Sequence, residues 1–109
     1  MKFLTLTCLS LMLFSSVQAA TLTIEHKVAD YGKWRKAFDA HKSKQQEAGL
    51  TNPRVFSTDG NKQDVTILFD ASDEAKAKAF SESENLKKTM QAAGVQGKPK
   101  IHLLSDQKI

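Results

Sequence analysis

Residues 26–41, with the sequence HKVADYGKWRKAFDAH, change from a strand pattern to a helix pattern within a few positions. The strand pattern covers residues 21–28, where apolar and polar side chains alternate, and His26 lies on the apolar side. Asp30 can then cap a helix whose apolar residues recur at a spacing of three or four. A half-buried strand that leads directly into an amphipathic helix predicts a sheet covered by helices on one face.

The first helix is predicted over residues 31–48, and it ends at Gly49, where a left-handed backbone is favoured. Two extended segments follow at residues 54–58 and 64–70. The residues between them include 59–61 (Asp-Gly-Asn), which are typical of a tight turn. This part of the chain therefore predicts a β-hairpin.

The second helix is predicted to begin at residues 72–73 and to end at Gly94. Ser81 and Glu84 have the spacing of a capping box, which predicts that this helix breaks and restarts there. Residues 100–104 predict a last strand. The order β-α-β-β-α-β predicts an α+β fold, a ferredoxin-like sandwich of one four-stranded sheet with helices on one face.

The first twenty residues are typical of a secretory signal peptide. A positive charge near the start precedes an apolar run at residues 3–14 and small residues at 15–20. An uncleaved membrane anchor is the less favoured alternative, because the run is shorter than the roughly 20 residues that span a bilayer. We predict cleavage after Ala19 or Ala20, which leaves residues 21–109 as one periplasmic or secreted domain.

Removal of this segment also removes Cys8, the single cysteine, so the predicted domain contains no disulfide, thiol nucleophile or cysteine metal ligand. A domain this short often gains stability from a partner subunit. The net charge of the sequence is only +4, and its basic residues are interspersed with acidic ones. We therefore expect no nucleic-acid partner, and no stable membrane anchor after cleavage.

The sheet face away from the helices is more apolar than a face open to water should be. Phe56, Leu68 and Leu104 are all predicted to lie on it. Packing this face against the same face of a second copy would bury these side chains. The sequence therefore predicts a homodimer.

The strand-to-helix segment and the second helix resemble a known group of proteins. The residues that carry the resemblance are His26-Lys27-Val28, Asp30-Tyr31, Trp34-Arg35, Phe38-Asp39, Ala79-Phe80, Leu86, Met90 and Ala93-Gly94-Val95. In this pattern the chain resembles the dimeric α/β-barrel superfamily, and is similar to its small uncharacterised members related to antibiotic-biosynthesis monooxygenases. The superfamily includes cofactor-free monooxygenases, haem-degrading enzymes, lactone isomerases and ligand-binding modules, so the resemblance implies a fold rather than one activity.

Two histidines and several aromatic residues are predicted to face one space between the sheet and the helices. His26 on the first strand and His41 on the first helix are the candidate catalytic residues, as acid–base groups. The candidate substrate-binding residues are apolar or aromatic: Tyr31, Trp34, Phe38, Phe69 and Met90. If they line a cavity, Trp34 should be less tightly packed than a core ring such as Phe69. The alternative is an ordinary core with a hydrogen-bonded histidine.

No metal site and no cofactor are predicted. Two histidines form a poor metal ligand set, although Asp39 or Asp70 could be recruited. Haem-degrading relatives supply a histidine from the second helical region, and residues 75–93 contain none. The leading hypothesis is a secreted or periplasmic protein that binds a small apolar or aromatic molecule, as a cofactor-free monooxygenase- or isomerase-like enzyme. The alternative is a non-catalytic ligand-binding or protein-interaction module.

Overall fold

The computed structural model describes residues 20–105, and the strands and helices follow the predicted order. The four strands are β1 Ala20–Val28, β2 Leu50–Thr58, β3 Asn61–Ala71 and β4 Val95–Ser105. The four helices are α1 Tyr31–Ala40, α2 Lys42–Glu47, α3 Glu74–Ser81 and α4 Glu84–Ala92. The predicted signal peptide falls almost wholly on residues 1–19, outside the described residues, so its removal stays a prediction.

The strands form one sheet in the order β2-β3-β1-β4, and all neighbouring strands are antiparallel. In the central pair, Leu22 lies opposite Phe69 and Ile24 lies opposite Ile67. These four side chains are buried under the helices, as the alternating pattern predicted. The predicted ferredoxin-like α+β fold is therefore confirmed.

The first helical segment is interrupted at His41, so the prediction of one continuous helix over residues 31–48 is wrong. The His41 amide bonds to the carbonyls of both Ala37 and Phe38, at 3.1 and 3.2 Å. The Phe38 carbonyl also accepts a hydrogen bond of 3.3 Å from the Gln45 side chain. These shared bonds tighten the turn and separate α1 from α2.

The second helical segment breaks where the sequence predicted, but a different serine caps the restart. Ser83 has an extended backbone, and its hydroxyl accepts a hydrogen bond of 3.1 Å from the Leu86 amide. Ser81 instead donates its hydroxyl to the Lys78 carbonyl at 2.8 Å. The break is confirmed, and the assignment of the cap to Ser81 is wrong.

Strand β4 is longer than the predicted residues 100–104, because it contains a bulge. Glu25 pairs with Lys100 and Lys27 pairs with Gln96, so residues 97–99 lie opposite the single residue between the two pairs on β1, His26. Gly97 and Pro99 lie just before the predicted residues 100–104. In the structure they form this bulge, and the strand continues to Val95 beyond it.

The outer face of the sheet carries the predicted apolar residues. Phe56 and Leu104 are each 51% exposed, and Leu68 is half-buried. The structure describes a single copy of the chain, so the homodimer stays a prediction. Within residues 20–105, no helix has the length and apolar character needed to cross a membrane.

Candidate functional site

A small cavity, called here the inner cavity, lies between the sheet and the helices, and its volume is about 40 Å³. Strands β1 and β3 and all four helices contribute to its lining. Six of the seven predicted site residues line it: His26, Trp34, Phe38, His41, Phe69 and Met90. Tyr31 is not among the lining residues, and its ring contacts the Trp34 ring with a centroid distance of 5.7 Å.

The volume of the inner cavity limits what it can hold. A cavity needs about 10–15 Å³ for each water molecule, whereas a cavity that binds benzene measures about 150 Å³. At about 40 Å³ the space accepts a few water molecules but no aromatic ring. A ring can therefore bind there only if part of the lining moves.

His26 is the most unusual side chain at this cavity. It is 6% exposed, and among residues 20–105 neither of its ring nitrogens has a hydrogen-bond partner. Its ring meets the Trp34 ring edge-on, with a centroid distance of 5.6 Å. Buried polar groups are nearly always paired in proteins, so the two ring nitrogens of His26 are available to a partner that enters the cavity.

Burial sets the charge of His26. Loss of hydration disfavours the imidazolium, and it lowers the pKa of His26 from 6.5 to about 4. No carboxylate is among the described residues that line the cavity. His26 is therefore neutral at pH 7, with one N–H donor and one nitrogen acceptor available to a ligand.

The sheet geometry around His26 is also irregular. On β3 its register partner is Val65, but on β4 the bulge at residues 97–99 leaves it without one. Bulges change the direction of side chains and are common beside functional sites. The bulge and the unpaired imidazole thus occur at the same position of the sheet.

His41 is fixed by a contact between the two helical segments. Its Nε2 lies 3.1 Å from Oδ1 of Asn85, at the start of α4, and its ring lies 6.1 Å from that of Phe80. The Asn85 amide oxygen can accept a hydrogen bond from Nε2. His41 is half-buried and lines the inner cavity.

The rings of α1 form a continuous stack at the cavity wall. Trp34 is 3% exposed and stacks on Phe38 with a centroid distance of 5.1 Å, and Phe38 in turn lies 6.0 Å from Phe69. Trp34 also contacts Tyr31 and His26. The expectation that Trp34 is loosely packed is therefore wrong, because its ring is as enclosed as a core ring.

The structure is similar to solved structures of monooxygenase-type proteins. A protein from Caulobacter crescentus assigned to the antibiotic biosynthesis monooxygenases is 16% identical with a TM-score of 0.65, over 84% of this chain and 92% of that one. One from Bordetella bronchiseptica is 12% identical with a TM-score of 0.67, over 84% and 98%. SnoaB from Streptomyces nogalater, a cofactor-independent oxygenase, is 8% identical with a TM-score of 0.66, over 84% and 96%. This chain has the antibiotic biosynthesis monooxygenase fold.

Identities this low show the fold alone. No protein-family model matches the sequence, and no curated protein matches it either. The monooxygenase fold is nevertheless the one that the sequence resemblance implied, so the resemblance is confirmed at that level.

Three polar residues of the site were missed in the sequence: Gln45, Asn85 and Thr89, of which Thr89 lines the inner cavity. Gln45 is 6% exposed, lines the cavity and donates to the Phe38 carbonyl. Its position four residues after His41 and seven after Phe38 places it on the same helical stripe, so the spacing could have identified it. Asn85 gave no such signal, since its contact with His41 joins residues 44 positions apart.

The carboxylates considered for a metal site lie away from the inner cavity. Asp39 pairs with Arg35 at 3.2 Å, and Asp70 pairs with Arg54 at 3.2 Å on the sheet. Neither is among the residues that line the inner cavity. Within residues 20–105 no cluster of three or more potential metal-ligating side chains occurs.

Proposed function

We propose that this chain binds a small apolar or aromatic molecule in the inner cavity and acts on it as a cofactor-free monooxygenase. The observation that carries the proposal is His26, a buried imidazole with both nitrogens unpaired at the wall of an apolar cavity. A hydroxyl or carbonyl group of a ligand can pair with these nitrogens. The ring of the ligand then packs against Trp34 and Phe38.

Pairing with His26 makes the cavity selective as well as attractive. A site built to hydrogen-bond a polar group rejects analogues that lack it, because its own buried polar atoms then stay unpaired. Most of the remaining lining is apolar, with Gln45 and Thr89 as the other uncharged polar residues. The fitting ligand is therefore an aromatic molecule with few polar groups, such as a quinol.

The two histidines suit different parts of such a reaction. A pKa of about 4 makes His26 a weak base at pH 7, so His26 orients the ligand hydroxyl rather than deprotonating it. In the proposed reaction, the imidazole of His41, which also lines the cavity, accepts the proton of the ligand hydroxyl. A naphthohydroquinone and O₂ give a hydroxynaphthoquinone and water, with every electron supplied by the quinol. SnoaB, which has the same fold, supports this proposal as a cofactor-independent oxygenase.

A non-catalytic ligand-binding module is the second candidate, and the same pKa favours it. An imidazole that stays neutral to about pH 4 is well suited to hydrogen bonding and poorly suited to proton transfer at pH 7. An isomerase needs such a transfer and gains less support from the geometry.

Incubation with 1,4-naphthohydroquinone under air distinguishes these functions. We expect oxygen uptake at least about tenfold above autoxidation, with the hydroxynaphthoquinone identified by mass spectrometry. His26→Phe, which lacks both ring nitrogens, should return the rate to background, whereas Lys36→Gln on the exposed side of α1 should not. A binding module would retain the quinol under nitrogen, and under air it would leave the oxygen uptake at the autoxidation rate. Absence of both binding and turnover would refute the proposal.

We also propose that the chain is exported and cleaved, and that it works as a homodimer joined through the outer sheet face. The signal-like residues 1–20 support export. The exposed Phe56 and Leu104 support the dimer, since a second copy would cover them.

Mass spectrometry of the protein from its host tests the proposed export. We expect a mature chain that begins at Ala20 or Thr21, because small residues precede these positions. A full-length chain recovered in the membrane fraction would refute cleavage and the soluble location together.

A further inference from the structure

A larger space lies beside the inner cavity, between the α1–α2 helices and the edge strand β2. This outer cleft has a volume of about 610 Å³, and its lining includes Arg35, Lys42, Gln46, Leu50, Asn52 and Val55. Phe38 and Gln45 line both spaces. The two side chains therefore form a shared wall between the inner cavity and the outer cleft.

The sizes of the two spaces suggest how a ring can be accommodated. The inner cavity is too small for one, whereas small-molecule sites commonly measure about 300–1,000 Å³. The outer cleft already lies within that range, and displacement of the Phe38 side chain would join it to the inner cavity. The shared wall lies at the interruption between α1 and α2. The regular helical hydrogen bonding is already disturbed there, because the Gln45 side chain donates to the Phe38 carbonyl.

The charge of the outer cleft indicates which charged group a bound ligand should have. Asp39 neutralises Arg35 at 3.2 Å, but among the described residues no carboxylate lies within salt-bridge distance of the Lys42 ammonium. The cleft therefore has an excess positive charge at Lys42 beside the apolar Leu50 and Val55. An anionic group attached to an apolar body matches this combination.

The opposite wall of the outer cleft is held in place by a hydrogen-bond network. Asn52 has a φ of 51°, in the left-handed region, at an irregularity of β2. Its side chain donates to Asp70 at 3.2 Å, and Arg54 bonds to both Asp70 and the Asn52 carbonyl. The hydrogen bonds that Asp70 accepts lower the pKa of its carboxyl group. The bond from Asn52 has the largest effect, and the bond from Arg54 follows. Asparagine is one of the few residue types that adopt the left-handed backbone region readily, and these hydrogen bonds hold Asn52 in place.

We propose that the ligand is an aromatic compound with an anionic group such as a carboxylate. Its ring passes Phe38 into the inner cavity, and its anionic group stays at Lys42 in the outer cleft. This inference rests on the proposed function, since it requires that the ring binds beside His26.

The compounds 6-hydroxynaphthalene-2-carboxylate and 6-hydroxynaphthalene-2-carboxamide test it, because they share the ring, the shape and a hydroxyl that can pair with His26, and they differ in charge. In calorimetric titrations at low ionic strength, we expect the carboxylate to bind about three to ten times more tightly. Lys42→Gln should remove this preference, while Lys36→Gln, on the exposed side of α1, should keep it. In the wild-type protein the preference should shrink as salt is added, which gives a second reading independent of any variant.

His26→Phe separates the failure of this inference from the failure of the proposed function. One outcome is that His26→Phe weakens the binding of both probes, while Lys42→Gln leaves both affinities unchanged and salt has no effect. That outcome supports the ring site and refutes the anion subsite. If the carboxylate depends on Lys42 but neither probe depends on His26, the inner cavity is not the ring site and both proposals fail. Both also fail if neither probe binds at millimolar concentration.

Discussion

Lowering the pH from 7 to 4 should reduce the free energy of unfolding by about 3 kcal/mol through His26 alone. The unfolded chain binds a proton at this side chain below its ordinary pKa of 6.5, whereas the folded chain resists it down to about 4. Between these values the unfolded state binds more protons, so stability is full above pH 6.5 and falls as the pH approaches 4. Urea unfolding followed at several pH values measures this slope.

His26→Phe is the matched variant, because it keeps an aromatic ring in the same place and has nothing to protonate. We expect it to remove the dependence between pH 6.5 and 4, and to raise stability at pH 7 by about 1–3 kcal/mol, since a buried unpaired polar group is gone. Lys36→Gln, at an exposed residue of α1 on the helical side of the sheet, should keep the wild-type slope. An unchanged slope in His26→Phe would show that the imidazole is not the buried, neutral group described above.

Leu68→Lys should dissociate the proposed homodimer. Leu68 lies on the outer face between its register partners Thr23 and Arg54. An unpaired ammonium at the centre of a buried seam costs several kcal/mol, about 3–5 where a partner is lacking. Sedimentation velocity should therefore show a dimer for the wild-type protein and a folded monomer for the variant.

Ala40→Lys provides the control, because it adds the same charge at an exposed residue at the end of α1, on the helical side of the sheet. It should leave the wild-type dimer intact. A wild-type protein that is monomeric at high micromolar concentration, or a Leu68→Lys dimer of unchanged strength, would refute the outer face as an interface.

The fold could be predicted because its signals are local. The alternation in residues 21–28 and the cap at Asp30 depend on neighbours within a few positions, and both appear in the structure as expected. The break at His41 could not be predicted, because it depends on how the Gln45 side chain reaches the Phe38 carbonyl. Helical spacing alone does not report such competition for a backbone acceptor.

The sequence predicted which residues form the candidate site, but not how these residues are hydrogen-bonded and packed. The alternation and the helical stripe were enough to bring His26, Trp34 and Phe69 together. The lack of partners for His26 and the bulge opposite it depend on residues about 70 positions away, on β4. The tight packing of Trp34 likewise results from tertiary contacts that no spacing specifies.

A pH titration of the His26 ring by NMR, without and with 6-hydroxynaphthalene-2-carboxamide, tests most directly whether a neutral buried imidazole binds the ligand hydroxyl. We expect His26 to stay neutral down to about pH 4 and its ring nitrogen resonances to shift when the carboxamide binds. A pKa near 6.5, or resonances that do not respond to the bound carboxamide, would contradict this expectation.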